Sequence, residues 1–444
     1  MSSAHPCYTF TPKHQGEVKL HVMSGVTLVP WLRLLWCYAR VIHWRLYWHR
    51  VLFLSFMACL NTLLALPDWW RFSRSVAGQA LHAQPLIILG HPRTGTTHLH
   101  NLLALDPAFA HATTFQAGFP SAFITLEEVG ARPLLQPLLS KTRPMDAMKL
   151  DWDLPAEDEI AVNLLTGGVS YYLPLVVPCE EAALRPLLSL RGLTPAAGLT
   201  AWQDALIWFL KKVTFRDCYT RSKLLLRQGQ QQQRVVVPDG EHTAAPGAAV
   251  SRAAPTKGSW SHQGGGNTTS SSSSSSWREP RPLLIKSPVH TARLAWWRSA
   301  FPQARYLYIH RHPVQVMQSS FHMADTYFWY CYLQQPSNEE LTDHLVRQFV
   351  TMHQEYVAER MNLAPGSLVE LSFAELEKEP LQVLRRVYAA FGWSERFEAL
   401  LPRFQTYCAS LADFKKNQLG RLDPALEQRI REECHEAFQE WGYA

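Results

Sequence analysis

The sequence lacks the usual signals of several protein classes. Its eight cysteines are scattered, with no Cys-x-x-Cys pair and no cysteine–histidine spacing of the kind that binds zinc. We therefore expect neither a zinc site nor a disulfide framework, and we expect the cysteines to be buried free thiols. A net charge of +6, without a dense basic patch, does not indicate nucleic acid as a partner. Residues 1–25 form a polar N-terminal tail without the pattern of a signal peptide.

Residues 26–80 are hydrophobic and predict a helical segment that associates with a membrane. The run at 51–66 is apolar apart from Ser55, Asn61 and Thr62, but it is shorter than the ~20 residues that comfortably span a bilayer. Around it lie six arginines and six tryptophans that could anchor the segment at the headgroups: Arg33, Arg40, Arg45, Arg50, Arg71, Arg74, Trp31, Trp36, Trp44, Trp48, Trp69 and Trp70. Two helices packed on a globular domain would give the same pattern. Whether the segment spans the membrane or lies in the interface stays open.

The remaining sequence predicts an α/β fold with a P-loop-like, doubly wound parallel sheet flanked by helices. Short apolar runs at 85–89, 283–285, 305–310 and 367–373 read as strands, and stretches with helical periodicity alternate with them. The predicted domain covers 82–227 and 281–444. Between these parts, residues 228–280 are rich in Gln, Gly and Ser and predict a low-complexity, disordered insertion. Ligands of such sheets bind beyond the carboxyl ends of the strands.

The turn HPRTGTT after the first predicted strand has the features of a phosphate cradle. Gly90 and Gly95 have the spacing of the nucleotide-binding P-loop, but threonine replaces its lysine and a cation stands inside the turn. Backbone N–H groups and the dipole at the start of a helix favour an anion there. We predict that the phosphate group binds to residues of this turn, without a metal ion: Arg93, Thr94, Gly95, Thr96 and Thr97. An ordinary strand-to-helix turn is the alternative.

This turn resembles the 5′-phosphosulfate-binding loop of sulfotransferases, in which P-[KR]-[ST]-G-T-[ST] holds the donor 3′-phosphoadenosine-5′-phosphosulfate (PAPS). The stretch RHPVQVMQS resembles the element of that superfamily that binds the donor's 3′-phosphate, and Arg311, Pro313 and Ser319 match it residue for residue. An arginine fork and a nearby hydroxyl suit a phosphate. The resemblance implies PAPS as donor substrate and no metal.

The K-S-P sequence at Lys286 resembles the broad bacterial and algal-type branch of the sulfotransferases, which is distinct from the cytosolic branch. The resemblance implies that Lys286 stabilises charge on the departing phosphate. Cytosolic enzymes have a histidine base two places after this lysine, where Pro288 stands here. The general base could be His290, or it could be Glu157 or Glu159 in a P-x-E-D-E element that also resembles this branch. Acidic residues in the first turn of a helix are also favoured by the helix dipole alone.

The expected activity is transfer of a sulfuryl group from PAPS to the hydroxyl of a lipid, a sugar or a small metabolite. Lys415, Lys416 and Asn417 could close over the donor nucleotide, or could simply be solvated surface residues. Two other functions are considered: a P-loop NTPase or kinase, and a catalytically inactive membrane scaffold. The NTPase would need a P-loop lysine and an acidic metal ligand at a strand end, and the sequence has Thr96 and His310-Arg311 instead. A membrane-anchored enzyme would be expected to use an amphiphilic acceptor.

Overall fold

The structure is a computed structural model that describes residues 5–235, 279–412, 414 and 417–443. Most of the predicted insertion, at 236–278, and the lysines Lys415 and Lys416 lie outside the described residues. The chain divides into two units, one formed by 1–215 with 281–444 and the other by 216–280. In the second unit the described residues continue a helix as far as Val235.

The first unit contains a five-stranded sheet, and its strands in chain order are β1 Leu86–Leu89, β2 Ala110–His111, β3 Leu283–Lys286, β4 Arg305–His310 and β5 Leu368–Ser372. The strand order is β2-β3-β1-β4-β5, and every pair is parallel. In the register, Ile87 pairs with Ile285 on one side and with Tyr306 on the other. This confirms the predicted α/β fold.

Helices cover both faces of the sheet, and so β1 and β3 are buried at every position. The described helices are α1 Leu28–Tyr38, α2 Trp44–Ala77, α3 Thr96–Leu103, α4 Thr114–Gly118, α5 Phe123–Glu128, α6 Arg132–Leu135, α7 Asp158–Thr166, α8 Glu181–Leu184, α9 Pro186–Ser189, α10 Leu199–Val235, α11 Leu294–Ala300, α12 Pro313–Thr326, α13 Asn338–Arg360, α14 Phe373–Lys378, α15 Pro380–Ala390, α16 Ser394–Ser410, α17 Pro424–Glu433 and α18 His435–Trp441. Apolar side chains of α3, α15 and α16 pack with β1, β4 and β5 in one core cluster.

The inner side of α2 is fixed to the domain by three buried polar side chains. Arg50 donates to the backbone carbonyls of three residues, His14, Glu17 and Tyr332. Asn61 donates to two further carbonyls, those of Ser24 and Val26. Asp68 accepts from the backbone N–H groups of Ile124 and Thr125, and it pairs with Lys212 at 2.8 Å. Polar groups buried with their partners hold α2 against the domain along most of its length.

The outer side of α1 and α2 is apolar and exposed, and we call it the outer apolar face. It consists of large side chains that are each at least 38% exposed: Val29, Leu32, Trp36, Trp44, Leu46, Trp48, Leu52, Phe56, Leu60, Leu63, Leu66, Trp69 and Trp70. Within the described part of the chain, α2 is the one helix long and apolar enough to cross a membrane.

Two expectations from the sequence need correction here, and one strand was missed. Trp31 and Arg50 do not belong to the flanking anchors, because both side chains are fully buried. The indole of Trp31 donates to Ser55 inside the helix pair. The cysteines are not uniformly buried either: Cys331 and Cys434 are buried, whereas Cys7, Cys37, Cys59 and Cys179 are exposed. Finally, β2 has only two residues, too few to produce a strand pattern in the sequence.

Candidate functional site

The turn between β1 and α3 has a backbone that depends on its two glycines. Gly90 has φ +144° and Gly95, the N-cap of α3, has φ +91°. A Cβ on Gly90 would lie 2.6 Å from the carbonyl oxygen of Ile309, and one on Gly95 would lie 2.4 Å from the ring of Phe373. In the described structure no side chain caps the start of α3. The N–H groups of its first turn therefore face the turn without a capping side chain, as an anion site requires.

The threonines of the turn have different roles. Thr94 uses both its amide and its hydroxyl inside the turn, since both donate to the carbonyl of His91, at 3.2 and 2.7 Å. Thr96 is buried at the start of α3. The hydroxyl of Thr97 is reached by two cations: Arg143 Nη1 lies 3.4 Å away and Lys286 Nζ 3.5 Å away. Thr94 therefore stabilises the turn, while Thr97 faces the charged part of the site.

Three predicted phosphate-binding side chains meet at the ends of separate elements. Arg93 Nε donates to Ser319 Oγ at 3.0 Å, and Arg93 Nη1 pairs with Asp146 Oδ2 at 2.9 Å. Arg311 follows β4; its Nη1 donates to the carbonyl of Arg93 at 3.0 Å. Its guanidinium lies over the Phe373 ring, 4.5 Å from the centroid. Burial lowers the pKa of both arginines, opposed by Asp146 at Arg93, yet guanidinium groups start so high that both stay charged.

Lys286, at the end of β3, links the phosphate-binding side chains to Glu157, one of the predicted acids. Its buried ammonium donates to Glu157 Oε1 at 2.7 Å. The other oxygen, Oε2, accepts from the hydroxyl of Tyr172 at 2.5 Å. Burial alone would raise the pKa of Glu157, but the charge and hydrogen bond of Lys286 and the bond from Tyr172 hold it below its usual value. Glu157 is therefore ionised at neutral pH, and its side chain is still 18% exposed.

The other two candidate bases lie inside the core. His290 has no exposed surface, and its Nε2 lies 2.7 Å from Asp158 Oδ2. Glu159 also has no exposed surface; its carboxylate pairs with Arg293 at 3.0 Å and accepts from the indole of Trp202. The structure therefore brings Glu157 to the cradle and encloses His290 and Glu159 in buried pairs behind it. These pairs fix the start of α7 to the turn that follows β3.

Sequence reasoning missed several residues of the site. Arg143 and Asp146 come from an irregular stretch with no helical or strand period, so only their charges could have drawn attention to them. They pair with each other at 3.4 Å, and Asp146 also holds Arg93. Tyr172 was also missed, because no local pattern distinguishes it; its hydroxyl donates to Glu157. Asn417, the tail residue that was predicted to close over the nucleotide, donates to the carbonyl of Met145 at 2.8 Å, next to Asp146 in the chain.

The assembled site is a cluster of cations with two partly exposed carboxylates, at the carboxyl ends of β1, β3 and β4. The cations are Arg93, Arg143, Lys286 and Arg311, and the acids facing them are Asp146 and Glu157. Among the described residues, no group of three or more His, Cys, Asp or Glu side chains could hold a metal ion. Chemically, the cluster can bind a multiply charged anion and place a proton acceptor beside it.

The proteins that this chain resembles in sequence and in structure are sulfotransferases. The chain is 27% identical over 421 residues to the omega-hydroxy-beta-dihydromenaquinone-9 sulfotransferase Stf3 of Mycobacterium bovis, covering 94% of this chain and 90% of that protein. The crystal structure of sulfotransferase STF9 from Mycobacterium avium superposes with a TM-score of 0.54 at 15% identity, covering 88% of this chain and 86% of that one. For sulfotransferase STF1 from Mycobacterium tuberculosis H37Rv, the TM-score is 0.50 at 14% identity, with 95% and 88% covered. At these identities the two structures support the fold alone.

The family model described as "Sulfotransferase family" matches residues 85–398. That span begins just before β1 and includes the cradle, Lys286, Arg311 and Ser319. It covers well over half of the chain. The chain belongs to the sulfotransferase family.

Proposed function

We propose that this protein transfers a sulfuryl group from PAPS to the hydroxyl of an amphiphilic acceptor. The observation that carries the proposal is the convergence of Arg93, Lys286, Arg311 and Ser319 on one glycine-dependent cradle. A catalytically inactive protein with the same fold would not need these four side chains together. The missing P-loop lysine argues against the NTPase alternative.

The cradle and its cations fit the two charged ends of the donor. The first-turn amides of α3, with Arg93 and Thr97, would hold the 5′-phosphosulfate, and Arg311 with Ser319 would hold the 3′-phosphate. Bound PAPS supplies an activated sulfuryl group whose leaving group is a phosphate. Lys286, whose ammonium is 3.5 Å from Thr97 Oγ1, is in reach of the cradle and would stabilise the charge that develops there.

We assign the role of general base to Glu157. It is ionised, partly exposed and bonded to Lys286, so it lies where an acceptor hydroxyl and the donor would meet. The lowered pKa makes it a weaker base but keeps it in the form that accepts a proton. His290 and Glu159, predicted as alternatives, are assigned to support of α7, because each is enclosed with a buried partner.

We also propose that α1 and α2 hold the enzyme at a membrane surface without crossing it. The buried bonds of Arg50, Asn61 and Asp68 tie the inner side of α2 to the domain over a rise of about 27 Å. A lone transmembrane position would expose these three polar groups to lipid, at a cost of several kcal/mol each. The outer apolar face, with exposed Trp36, Trp69 and Trp70, suits the headgroup region instead.

The Stf3 relative supports an amphiphilic acceptor, because its name gives a hydroxylated dihydromenaquinone as substrate. An enzyme resting on the bilayer would reach such a hydroxyl without extracting the whole lipid into water. Sugar and small-metabolite acceptors have no comparable observation in their favour.

The proposal is tested by measuring transfer of the sulfuryl group directly. The full chain is incubated with radiolabelled PAPS and a membrane lipid extract, and sulfated lipids are identified by mass spectrometry. The Arg93→Ala, Arg311→Ala double variant should lose PAPS affinity, by about 1.5–3 kcal/mol for each charged contact. Arg385→Ala is the matched control, since that arginine is 59% exposed on α15. Binding of ATP with Mg²⁺ in preference to PAPS, or unchanged PAPS affinity in the double variant, would refute the proposal.

A further inference from the structure

A large groove lies beside α1, away from the cradle. Its volume is about 960 Å³, at the upper end of the range for small-molecule sites, about 300–1,000 Å³. The walls come from α1, the loop after α7, the loop between α9 and α10, and the first turns of α10. Among the described lining residues, Arg33 is the one charged side chain. A nucleotide or a sugar would find few hydrogen-bonding partners here, whereas an apolar chain would pack against the apolar lining.

Small residues form two walls of the groove. Gly167, just after α7, has φ +73°, and a Cβ there would lie 2.3 Å from the carbonyl oxygen of Pro30 in α1. The backbones of α1 and this loop are therefore in direct contact at one wall. On the opposite wall α10 presents Ala201 and Ala205, one turn apart, whose methyl groups leave the space unfilled.

The groove is continuous with the outer apolar face. At its outer edge it is lined by Val29, Leu32 and Trp36, which are 61%, 52% and 91% exposed and belong to the outer apolar face. The lining therefore opens onto the surface that is proposed to rest on the membrane.

We propose that this groove binds the apolar prenyl chain of a lipid alcohol that enters it from the membrane. That this lipid is the acceptor rests on the proposed function; the binding of the chain does not. An open apolar groove of this size is unfavourable in water and gains free energy when apolar surface fills it. Arg33 is exposed at the edge of the groove, beside the outer apolar face, and is suited to the polar end of the lipid. Residues 236–278 are rich in Ser, Gly and Ala and contain few large apolar side chains, so a lipid chain suits the groove better than this segment.

The experiment measures saturable binding of tritiated geranylgeraniol to the full chain, without PAPS. Ala201→Phe with Ala205→Trp fills the groove and should weaken binding about tenfold or more. Thr200→Phe is the matched control, because Thr200 is exposed on the same helix and does not line the groove; its binding should equal that of the wild type. If the double variant unfolds below the wild-type melting temperature, Ala201→Leu alone should give a smaller loss in the same direction.

The outcomes separate this inference from the proposed function. Equal binding by the wild type and both groove variants, or no saturable binding by the wild type, overturns the groove site whatever the enzyme transfers. Binding that the groove variants lose and Thr200→Phe keeps supports the site. If that pattern holds but no sulfuryl group moves from PAPS to any lipid in the extract, the proposed function fails and the groove site stands.

Discussion

Replacement of Glu157 by glutamine tests the assignment of the base most directly. The change keeps the size of the side chain and removes its charge, so the carboxylate that Lys286 and Tyr172 hold between them becomes an amide. Loss of a positioned general base lowers kcat by about 10²- to 10⁴-fold. Lys286 also loses its charged partner, and one charge-assisted hydrogen bond is worth about 1.5–3 kcal/mol of stability. We therefore expect a large loss of kcat, a modest fall in melting temperature and little change in PAPS affinity.

The pH dependence adds a second readout for this variant. The pKa of Glu157 in the folded protein lies below its ordinary value of 4.5, so the carboxylate stays ionised as the pH falls to that value. Its contribution to stability is present above pH 4.5 and is lost as the pH falls through the lowered folded pKa. The acid limb of kcat should therefore lie below pH 4.5. Tyr172→Phe removes one bond that lowers this pKa, so the limb should move to higher pH while most activity remains.

The assay is the initial rate of transfer at saturating PAPS over a range of pH, with PAPS affinity measured separately by calorimetry. Glu427→Gln is the control, since it removes a glutamate from an exposed pair with Arg431 on α17. A Glu157→Gln enzyme that keeps kcat within about tenfold of the wild type would refute the assignment, because no general base contributes so little. A parallel loss of PAPS affinity would place Glu157 in donor binding instead.

Three further predictions concern the cradle, the anchoring of α2 and the outer apolar face. Gly95→Ala should abolish tight PAPS binding, since a left-handed φ and the Phe373 contact together cost about 1–3 kcal/mol; Gly420→Ala, with open space around it, should bind normally in the same titration. Asp68→Ala should lower the free energy of unfolding in urea by about 3–5 kcal/mol, because Lys212 is left buried without its carboxylate. A variant in which serine replaces the exposed Leu52, Phe56 and Leu63 together should keep the wild-type melting temperature. Its binding to anionic vesicles, measured by sedimentation, should be at least tenfold weaker.

Each of these has a result that would contradict it. Normal PAPS binding by Gly95→Ala would mean that the turn is not the donor site. An Asp68→Ala protein as stable as the wild type would mean that α2 is not held through Lys212. Undiminished vesicle binding by the serine variant would remove the membrane role from the outer apolar face, while the sulfotransferase assignment, which depends on other residues, would remain.

The sequence alone determined four of the five strands and most of the cation cluster of the candidate site. Strands covered on both faces need apolar centres, so β1, β3 and β4 were visible as short runs. The turn needs φ values that residues other than glycine avoid, so the sequence shows Gly90 and Gly95 at the two positions that need them. The parallel sheet then brought Lys286 and Arg311 to the same edge, because all its strands end there.

Only the tertiary structure decided which acid joins that site. Glu157, Asp158 and Glu159 are adjacent in sequence, and nothing local separates them. Neighbouring residues at the start of a helix point in different directions, so one meets Lys286 while the other two meet His290 and Arg293. The partners come from more than 125 residues away in the chain, which is why no local pattern could reveal the choice.

The same reason applies to α2. Its sequence is apolar nearly all round, so the hydrophobic pattern could not say which side faces the protein. Arg50, Asn61 and Asp68 decide it, because a buried polar group is stable only where partners for its hydrogen bonds exist. Those partners are backbone groups of the N-terminal segment, of Tyr332 and of the first turn of α5, together with Lys212 of α10. Packing against them buries one side of α2 and leaves the outer apolar face to solvent or membrane.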